Sequence, residues 1–192
     1  MIHLASSAGP FAAEKPGRTA NCARMTIEQL SAADRDAFVA EVGFAFEHSP
    51  WIAEAAWEHR PFASVEDLHA TMLAVLDGAP DDQKVALIVA HPDLAGRVAR
   101  EGRLTAASTG EQASAGLDRL SSEDLTRFDA LNGAYRDRFA FPFVICAREH
   151  DTDSILAALQ TRGRNDRATE VATALREIGK IARLRLLDTV EA

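Results

Sequence analysis

The stretch Lys84-Val-Ala-Leu-Ile-Val-Ala-His-Pro-Asp-Leu-Ala-Gly-Arg97 places an ionisable imidazole directly after an apolar run. The apolar run is typical of a buried helix, which Asp81 is positioned to open. Pro92 disfavours helical dihedral angles at the residue before it, so we expect the helix to end at His91. The imidazole would then lie at the mouth of an apolar layer, within reach of solvent and of a ligand. A lone histidine at a helix end is more often structural than catalytic, so a role for His91 depends on what other segments bring to it.

Helical periodicity continues on both sides of this stretch, and residues that favour helix N-termini precede most of the periodic segments. The expected helices begin at Thr26; at Ser31, ending at Glu47; at Ser49-Pro50; at Ser64, ending at Gly78-Ala-Pro80; at Asp81; at Ser121 or Ser122, ending near Phe139; at Thr152 or Asp153; and at Asn165 or Asp166, ending near Asp188. There is no internal repeat and no linker between these segments. We therefore predict an all-α, single-domain bundle of about eight helices over residues 25–192.

Two segments depart from the helical pattern. Residues 1–24 have no periodicity and are interrupted by Gly, Pro and Ser, which favours a disordered N-terminal extension. The segment 141–147, Phe-Pro-Phe-Val-Ile-Cys-Ala, is continuously apolar, with a proline inside it, and is more typical of a strand or a buried extended segment. No second strand is apparent, so a sheet is not expected and the backbone groups of this segment need other partners. A ligand is one candidate for that partner.

Composition excludes several classes of function. The net charge is −8 and no stretch is dominated by Lys or Arg, so neither a nucleic acid nor an anionic membrane is an expected partner. Two cysteines, Cys22 and Cys146, form neither a disulfide framework nor a zinc ligand set, which fits the reducing cytoplasm. No apolar run approaches the roughly 18 residues that span a bilayer. His91 and Asp93 alone do not complete a metal site, so no metal is expected.

The last helix contains an anomaly in its apolar face. Val171, Leu175, Ile178 and Ala182 follow one another in steps of three and four, and the next step of three reaches Arg185. In one interpretation the arginine extends to solvent or pairs with a carboxylate at the helix end. In the other it lies in a cleft, where its planar guanidinium matches a carboxylate bidentately. Periodicity alone favours the first interpretation.

A second candidate for chemistry follows a run of small residues. Glu111 comes after Ser108-Thr-Gly110, and a helix beginning here would leave free backbone N–H groups around 108–112 that could hold a carbonyl or an anion. An ordinary solvated glutamate in a first helical turn is the simpler interpretation. His91, Glu111 and Arg185 would together supply an acid or base, an orienting carboxylate and an anion clamp, but spacing does not show that they meet.

The chain resembles the 2-oxo-4-hydroxy-4-carboxy-5-ureidoimidazoline (OHCU) decarboxylases of urate degradation. The resemblance covers roughly residues 26–190. It rests on these stretches: Ser49-Pro-Trp-Ile-Ala-Glu54 with Arg60-Pro-Phe62, His91-Pro-Asp-Leu-Ala-Gly-Arg97, Ser108-Thr-Gly-Glu-Gln112 with Ala115-Gly-Leu117, Leu131-Asn132 with Tyr135, Phe139-Ala-Phe-Pro-Phe-Val-Ile-Cys-Ala-Arg148, and Lys180-Ile-Ala-Arg-Leu-Arg-Leu186. It departs from the family pattern at Ala140, where glycine is usual, and at Gly110, where an acidic residue can occur.

The resemblance implies a fold, a reaction and a site. The fold is a bundle of α-helices, usually a homodimer, and the reaction is the cofactor-free decarboxylation of an anionic ureidoimidazoline, OHCU, to (S)-allantoin. The implied catalytic residues are His91, Glu111 and Arg185. The implied substrate-binding residues are Pro92, Ser108, Thr109, Gly110, Glu111, Gln112, Phe143, Val144, Ile145, Cys146 and Ala147.

Physical chemistry adds expectations about these roles. Arg185 would hold the anionic substrate, His91 would be oriented by Glu111 and move protons, and backbone N–H groups of 108–112 and 143–147 would receive developing charge. The competing hypothesis is a non-enzymatic helical module that senses a ligand or binds a protein. The two differ in whether His91, Glu111 and Arg185 converge on one cleft.

Overall fold

The computed structural model describes residues 24–96, 99, 101–102 and 104–191 of the chain. The predicted N-terminal extension lies outside this range apart from Arg24. The α-helices in the described part are α1 (Ile27–Ala32), α2 (Arg35–Val42), α3 (Trp51–Ala56), α4 (Val65–Gly78), α5 (Asp81–Val89), α6 (Ala106–Ser114), α7 (Ser122–Phe139), α8 (Thr152–Arg162) and α9 (Arg167–Thr189). Short 3-10 turns occupy Gly43–Ala45, Trp57–His59 and Ala147–Glu149. The all-α prediction is confirmed.

Most helices begin where capping chemistry predicts. The hydroxyls of Thr26, Ser64 and Ser121 each accept a hydrogen bond from the backbone N–H three residues later, and α1, α4 and α7 follow them directly. Asp166 caps α9 in the same way. The cap of α8 is Asp151, one residue before the expected position, because its carboxylate and Ser154 form a reciprocal capping box.

The prediction of one helix from Ser31 to Glu47 is wrong. Ser31 lies inside α1, and its hydroxyl accepts the backbone N–H of Phe62 at 3.0 Å instead of capping a helix. Asp34 caps α2, with its carboxylate accepting the Ala37 N–H at 2.8 Å. A carboxylate is as strong an N-cap as a hydroxyl, so the chain contains two adequate start signals and tertiary contact decides between them.

A small parallel sheet was not expected. Met25–Thr26 pairs with Val190–Glu191, so the start of the described chain is joined to the end of α9. Each strand is two residues long and too short to carry a period-two pattern, which is why the sequence does not indicate it.

Helix α9 is the central element of the bundle. It packs against α4, α5 and the 3-10 turn at Gly43–Ala45. Its apolar stripe is buried at Ile178, Ala182 and Leu186, and Arg185 is buried beside them. None of the helices in the described part of the chain is long and apolar enough to cross a membrane.

The segment 141–147 is extended but belongs to no sheet. All seven of its residues are buried. Side chains satisfy its backbone: Arg162 donates to the Val144 carbonyl at 2.8 Å, and Glu177 accepts the Cys146 N–H at 2.9 Å. The expectation that its backbone groups need partners outside a sheet is confirmed, and α8 and α9 supply two of them.

Candidate active site

Glu111 and Arg185, 74 residues apart in the chain, form a bidentate ion pair. The Arg185 Nε–H donates to Glu111 Oε1 at 2.7 Å, and Nη2 donates to Oε2 at 2.8 Å. Arg185 is only 4% exposed, so the interpretation that it reaches solvent is wrong. Glu111 is 14% exposed and therefore keeps some access to the surface.

Arg185 has further partners that use its remaining donors. Nη1 donates to Glu47 Oε2 at 2.8 Å and to the Phe44 carbonyl at 3.2 Å, while Nη2 also reaches the Ser108 hydroxyl at 3.2 Å. Together with the two bonds to Glu111, these contacts occupy all five N–H groups of the guanidinium. Burial opposes its charge, but the two carboxylates more than offset this, and the pKa of Arg185 is raised. The cation is therefore permanent.

Glu47 is a member of the site that the sequence did not suggest. It is 3% exposed, and one of its oxygens accepts from Arg185 and from the Ser108 hydroxyl, the latter at 3.1 Å. Burial disfavours its ionised form, but the adjacent guanidinium outweighs burial and lowers the pKa of Glu47. The only signal in the sequence is that this carboxylate directly follows the apolar run 42–46. An expected helix end accounts for that position equally well.

His91 lies where the helix before it ends, as predicted. Its Nδ1 is 2.9 Å from the Leu87 carbonyl, which can only accept, so Nδ1 carries the proton. Its Nε2 is buried and has no hydrogen-bond partner among the described residues. Burial is the largest influence on the ring and lowers the pKa of His91 to about 4. At neutral pH the ring is uncharged, with a free lone pair on Nε2.

The expectation that Glu111 orients His91 is wrong. Glu111 is engaged with Arg185, and the orienting partner of the imidazole is the Leu87 carbonyl on the preceding turn of its own helix. A backbone carbonyl fixes the tautomer as a carboxylate would, but it adds no full negative charge to stabilise an imidazolium. This arrangement favours a neutral imidazole that accepts a proton.

The predicted free N–H groups around 108–112 are also absent. Helix α6 begins at Ala106, with Thr105 as its cap, so Ser108 lies in its first turn and residues 110–112 lie beyond that turn. The Thr105 hydroxyl accepts the Ser108 N–H at 3.2 Å, and the Thr105 carbonyl accepts the Thr109 N–H at 2.9 Å. The helix therefore presents side chains, not backbone donors, to the site.

One small cavity brings most of the predicted site residues together. It has a volume of about 30 Å³ and is lined by His91, Pro92, Leu94, Ser108, Glu111, Gln112, Phe143, Val144, Ile145, Ala147 and Ile181. Arg185, Thr109, Gly110 and Cys146 from the predicted set are not in its lining, and Arg185 reaches it only through Glu111 and Ser108. Thr109 is exposed, with its hydroxyl bonded to the Thr105 carbonyl. A Cβ added at Gly110 would meet nothing within 4 Å, so this position has room for the larger residue that the resemblance allows.

A larger cavity of about 340 Å³ lies on the other side of Glu111. Its lining includes Phe44, Gly110, Arg148 and Arg185. Glu111 lines both cavities, so its side chain stands between them. Arg185 already lines the larger cavity, and a movement of the Glu111 side chain away from it would open the small cavity to the guanidinium as well.

Two contacts fix the loop that follows His91. The Asn132 amide donates to the Leu94 carbonyl at 2.9 Å, and the Ala95 N–H donates to Gln112 Oε1 at 3.0 Å. Because Gln112 uses its carbonyl oxygen in this way, its NH2 group is the part that it can offer to a ligand. Ala95 has φ of 52°, a left-handed conformation that is unfavourable for alanine and that these contacts must maintain.

Comparison with known proteins identifies the family of this chain. Residues 31–187 match the family model described as OHCU decarboxylase. The chain is 42% identical over 164 residues to the 2-oxo-4-hydroxy-4-carboxy-5-ureidoimidazoline decarboxylase of Haloferax volcanii, covering 85% of this chain and 95% of that protein. It is 40% identical over 168 residues to the protein of the same name from Mus musculus, covering 88% and 94% of the two chains.

The fold agrees as well. A crystal structure of (S)-allantoin synthase superimposes with a TM-score of 0.71 at 30% identity, covering 87% of this chain and 54% of that one. The range matched by the family model includes His91, Glu111 and Arg185. The chain belongs to the OHCU decarboxylase family.

Proposed function

We propose that this enzyme decarboxylates OHCU to (S)-allantoin in urate degradation. The observation that carries the proposal is a neutral imidazole with a free buried nitrogen, placed in one cavity with a carboxylate that is paired to a buried arginine. Family membership supports the same activity, since the relatives from Haloferax volcanii and Mus musculus are named as OHCU decarboxylases. Family membership also argues against the alternative of a non-enzymatic helical module.

The reaction needs an electron acceptor and a proton carrier. In OHCU one ring carbon bears both the carboxylate and a hydroxyl, and the neighbouring carbon bears the ureido group. When CO2 leaves, the electron pair of the broken bond moves into the adjacent C=N bond of the ring. The hydroxyl must then lose its proton to become the carbonyl of allantoin, and the ureido-bearing carbon must gain one. The ring nitrogen that received the electron pair must also gain a proton, which solvent supplies.

His91 has the protonation state for this transfer. Its Nε2 lone pair can accept the hydroxyl proton, while Nδ1 remains bonded to Leu87. The resulting imidazolium is a strong acid in this buried position, because burial holds the pKa of His91 at about 4. It can therefore return a proton to the ring carbon. Delivery from the one face that His91 occupies gives one enantiomer.

Charge that develops on the ring needs donors, and the segment Phe143–Ala147 can supply them. Successive N–H groups of an extended segment point to opposite sides, and that of Cys146 points to Glu177. The N–H groups of Ile145 and Ala147 then face the other way, and both residues line the His91 cavity. Ala147 also begins a 3-10 turn, whose first N–H groups have no partner within the turn.

Cys146 does not take part as a nucleophile. It is buried, and its burial, together with the nearby carboxylate of Glu149, raises the pKa of its thiol to about 11. A thiol in that state is not ionised at neutral pH and is a poor nucleophile. The part of Cys146 that has a structural role is its backbone N–H, which donates to Glu177.

A coupled assay tests the proposal directly. Urate oxidase and the hydrolase for its product generate OHCU in the cuvette, and circular dichroism follows the appearance of optically active allantoin. The wild-type enzyme should give an optical signal well before the slow, racemic background. An unchanged background in the presence of the folded enzyme would exclude the activity.

We also propose that the protein forms a homodimer and is located in the cytoplasm. The resemblance to a family that is usually dimeric supports the homodimer, and the scarcity of cysteine supports a reducing compartment. Light scattering during size-exclusion chromatography distinguishes a dimer from a 20.7 kDa monomer.

A further inference from the structure

Glu47 is a buried carboxylate in the site that the reaction described above does not use. It lines neither of the two cavities, so its contact with a substrate would be indirect. Its oxygen Oε2 binds two other members of the site, Arg185 and Ser108. These three residues come from a turn after a 3-10 segment, from α9 and from α6, so Glu47 connects three separate parts of the fold.

The backbone beside Glu47 is strained. His48 has φ of 48°, a left-handed conformation that is unfavourable for a non-glycine residue. Phe46, Glu47 and Ser49 on either side are buried while His48 is exposed. The chain therefore adopts an unfavourable turn at the point where it directs Glu47 inward. Strain of this kind persists only where surrounding contacts maintain it.

The partners of Arg185 fall into a fixed group and an exchangeable one. Three of its five N–H groups are bound by Glu47, Ser108 and the Phe44 carbonyl, all inside the protein. The other two are bound by Glu111, which is more exposed than Glu47 and forms a wall of both cavities. An anionic ligand that reaches the guanidinium from either cavity would therefore replace Glu111 and leave the other three bonds in place.

We propose that Glu47 is a positioning residue that holds Arg185 in place while the guanidinium exchanges Glu111 for the anionic group of the substrate. The inference rests on the proposed function for the identity of that substrate. Without Glu47, Arg185 would follow Glu111 when the ion pair opens, since one charged anchor would be gone. The expected defect is therefore in the handling of the substrate carboxylate and not in the overall fold.

Glu47→Gln is the informative variant. The bonds from Arg185 and Ser108 both go to Oε2, so the carbonyl of glutamine can accept both while the negative charge is lost. We expect kcat/KM for OHCU to fall about tenfold to a hundredfold, the range for one charge-assisted hydrogen bond, with a rise in KM. Affinity for allantoin, which has no carboxylate, should change less than twofold.

Glu66→Gln is the matched control. Glu66 forms an exposed ion pair at 3.4 Å with Arg183, which lies on the same helix as Arg185, outside the site. The control variant should keep the wild-type kinetics. A Glu47→Gln enzyme with wild-type kcat and KM would overturn the inference. So would a loss of affinity for allantoin as large as that for the substrate, because a merely structural defect would weaken both.

A second measurement does not depend on the reaction. The Nε–H of Arg185 donates to Glu111 and should give a protected signal in ¹H–¹⁵N NMR spectra, which Arg185→Lys identifies. Glu47→Gln should shift this signal and accelerate its exchange with solvent, and Glu66→Gln should not. An unchanged signal would refute the positioning role. A wild-type enzyme that fails to form allantoin would instead refute the proposed function, and the NMR result would still decide the role of Glu47.

Discussion

His91→Asn should separate catalysis from acid stability. Asparagine Nδ2 can replace the imidazole Nδ1 as donor to the Leu87 carbonyl, but nothing replaces the lone pair on Nε2. Since that nitrogen is the proposed proton acceptor, we expect kcat to fall by about 10²–10⁴, the usual contribution of a general acid–base group. The fold should be retained, because the backbone contact at the helix end remains.

The same variant should change how stability depends on pH. The pKa of His91 is about 4 in the folded chain and 6.5 as an ordinary histidine, so the unfolded state binds more protons between these values. Stability from the neutral ring is complete above pH 6.5 and is lost as the pH falls towards 4. At roughly 1.4 kcal/mol per pKa unit, the whole loss is about 3 kcal/mol, and about 2 kcal/mol of it occurs by pH 5.

Urea denaturation at pH 7.5 and pH 5 measures this term. The free energy of unfolding should fall by about 2 kcal/mol more for the wild type than for His91→Asn between the two pH values. His59→Asn is the control, since that ring is exposed in the folded chain, and it should keep the wild-type pH dependence. Equal losses for the wild type and His91→Asn would refute the assignment of His91 as a buried, neutral base.

Three further substitutions test the site and one helix end. Arg185→Lys should lower kcat/KM about tenfold to a hundredfold with a raised KM, because three ammonium donors cannot replace a five-donor fork; steady-state kinetics with OHCU decide this. Glu111→Gln should not raise KM, because a neutral side chain leaves the guanidinium more easily; a raised KM in steady-state kinetics would contradict the exchange. Ala140→Gly should stabilise by about 0.5–1 kcal/mol, roughly 2 °C in Tm, because Ala140 has φ of 61° after α7; a lower Tm would contradict this.

Helix starts and the class of the fold could be predicted because they depend on neighbours in sequence. Ser64 and Ser121 cap helices through the N–H three residues later, and nothing distant alters that contact. Ser31 shows the limit of such reasoning, since its hydroxyl is taken by Phe62, 31 residues away. The departure at Ala140 was also visible in the sequence, and its left-handed conformation explains why glycine is usual at this position.

His91, Glu111 and Arg185 were predictable as members of the site, but Glu47 and the pairings were not. Periodicity placed Arg185 on the buried face of α9, and the proline placed His91 at a helix end. Neither pattern says which acid meets which base across 74 or 138 residues. Helical phase also could not show that α6 begins at Ala106, because the small residues of 105–110 give no apolar periodicity to locate its first turn.

The charge balance of the site explains why the pairings matter. His91 is neutral, and the single guanidinium of Arg185 lies between the carboxylates of Glu47 and Glu111. These four groups together therefore carry a surplus negative charge. An anionic substrate brought to Arg185 would add another, at short range and in a poorly solvated cavity where like charges repel strongly. Binding is then favourable only if one carboxylate gives way, and burial and cavity access both indicate Glu111. Opening of the Glu111–Arg185 ion pair would thus free the two guanidinium donors that clamp the substrate anion.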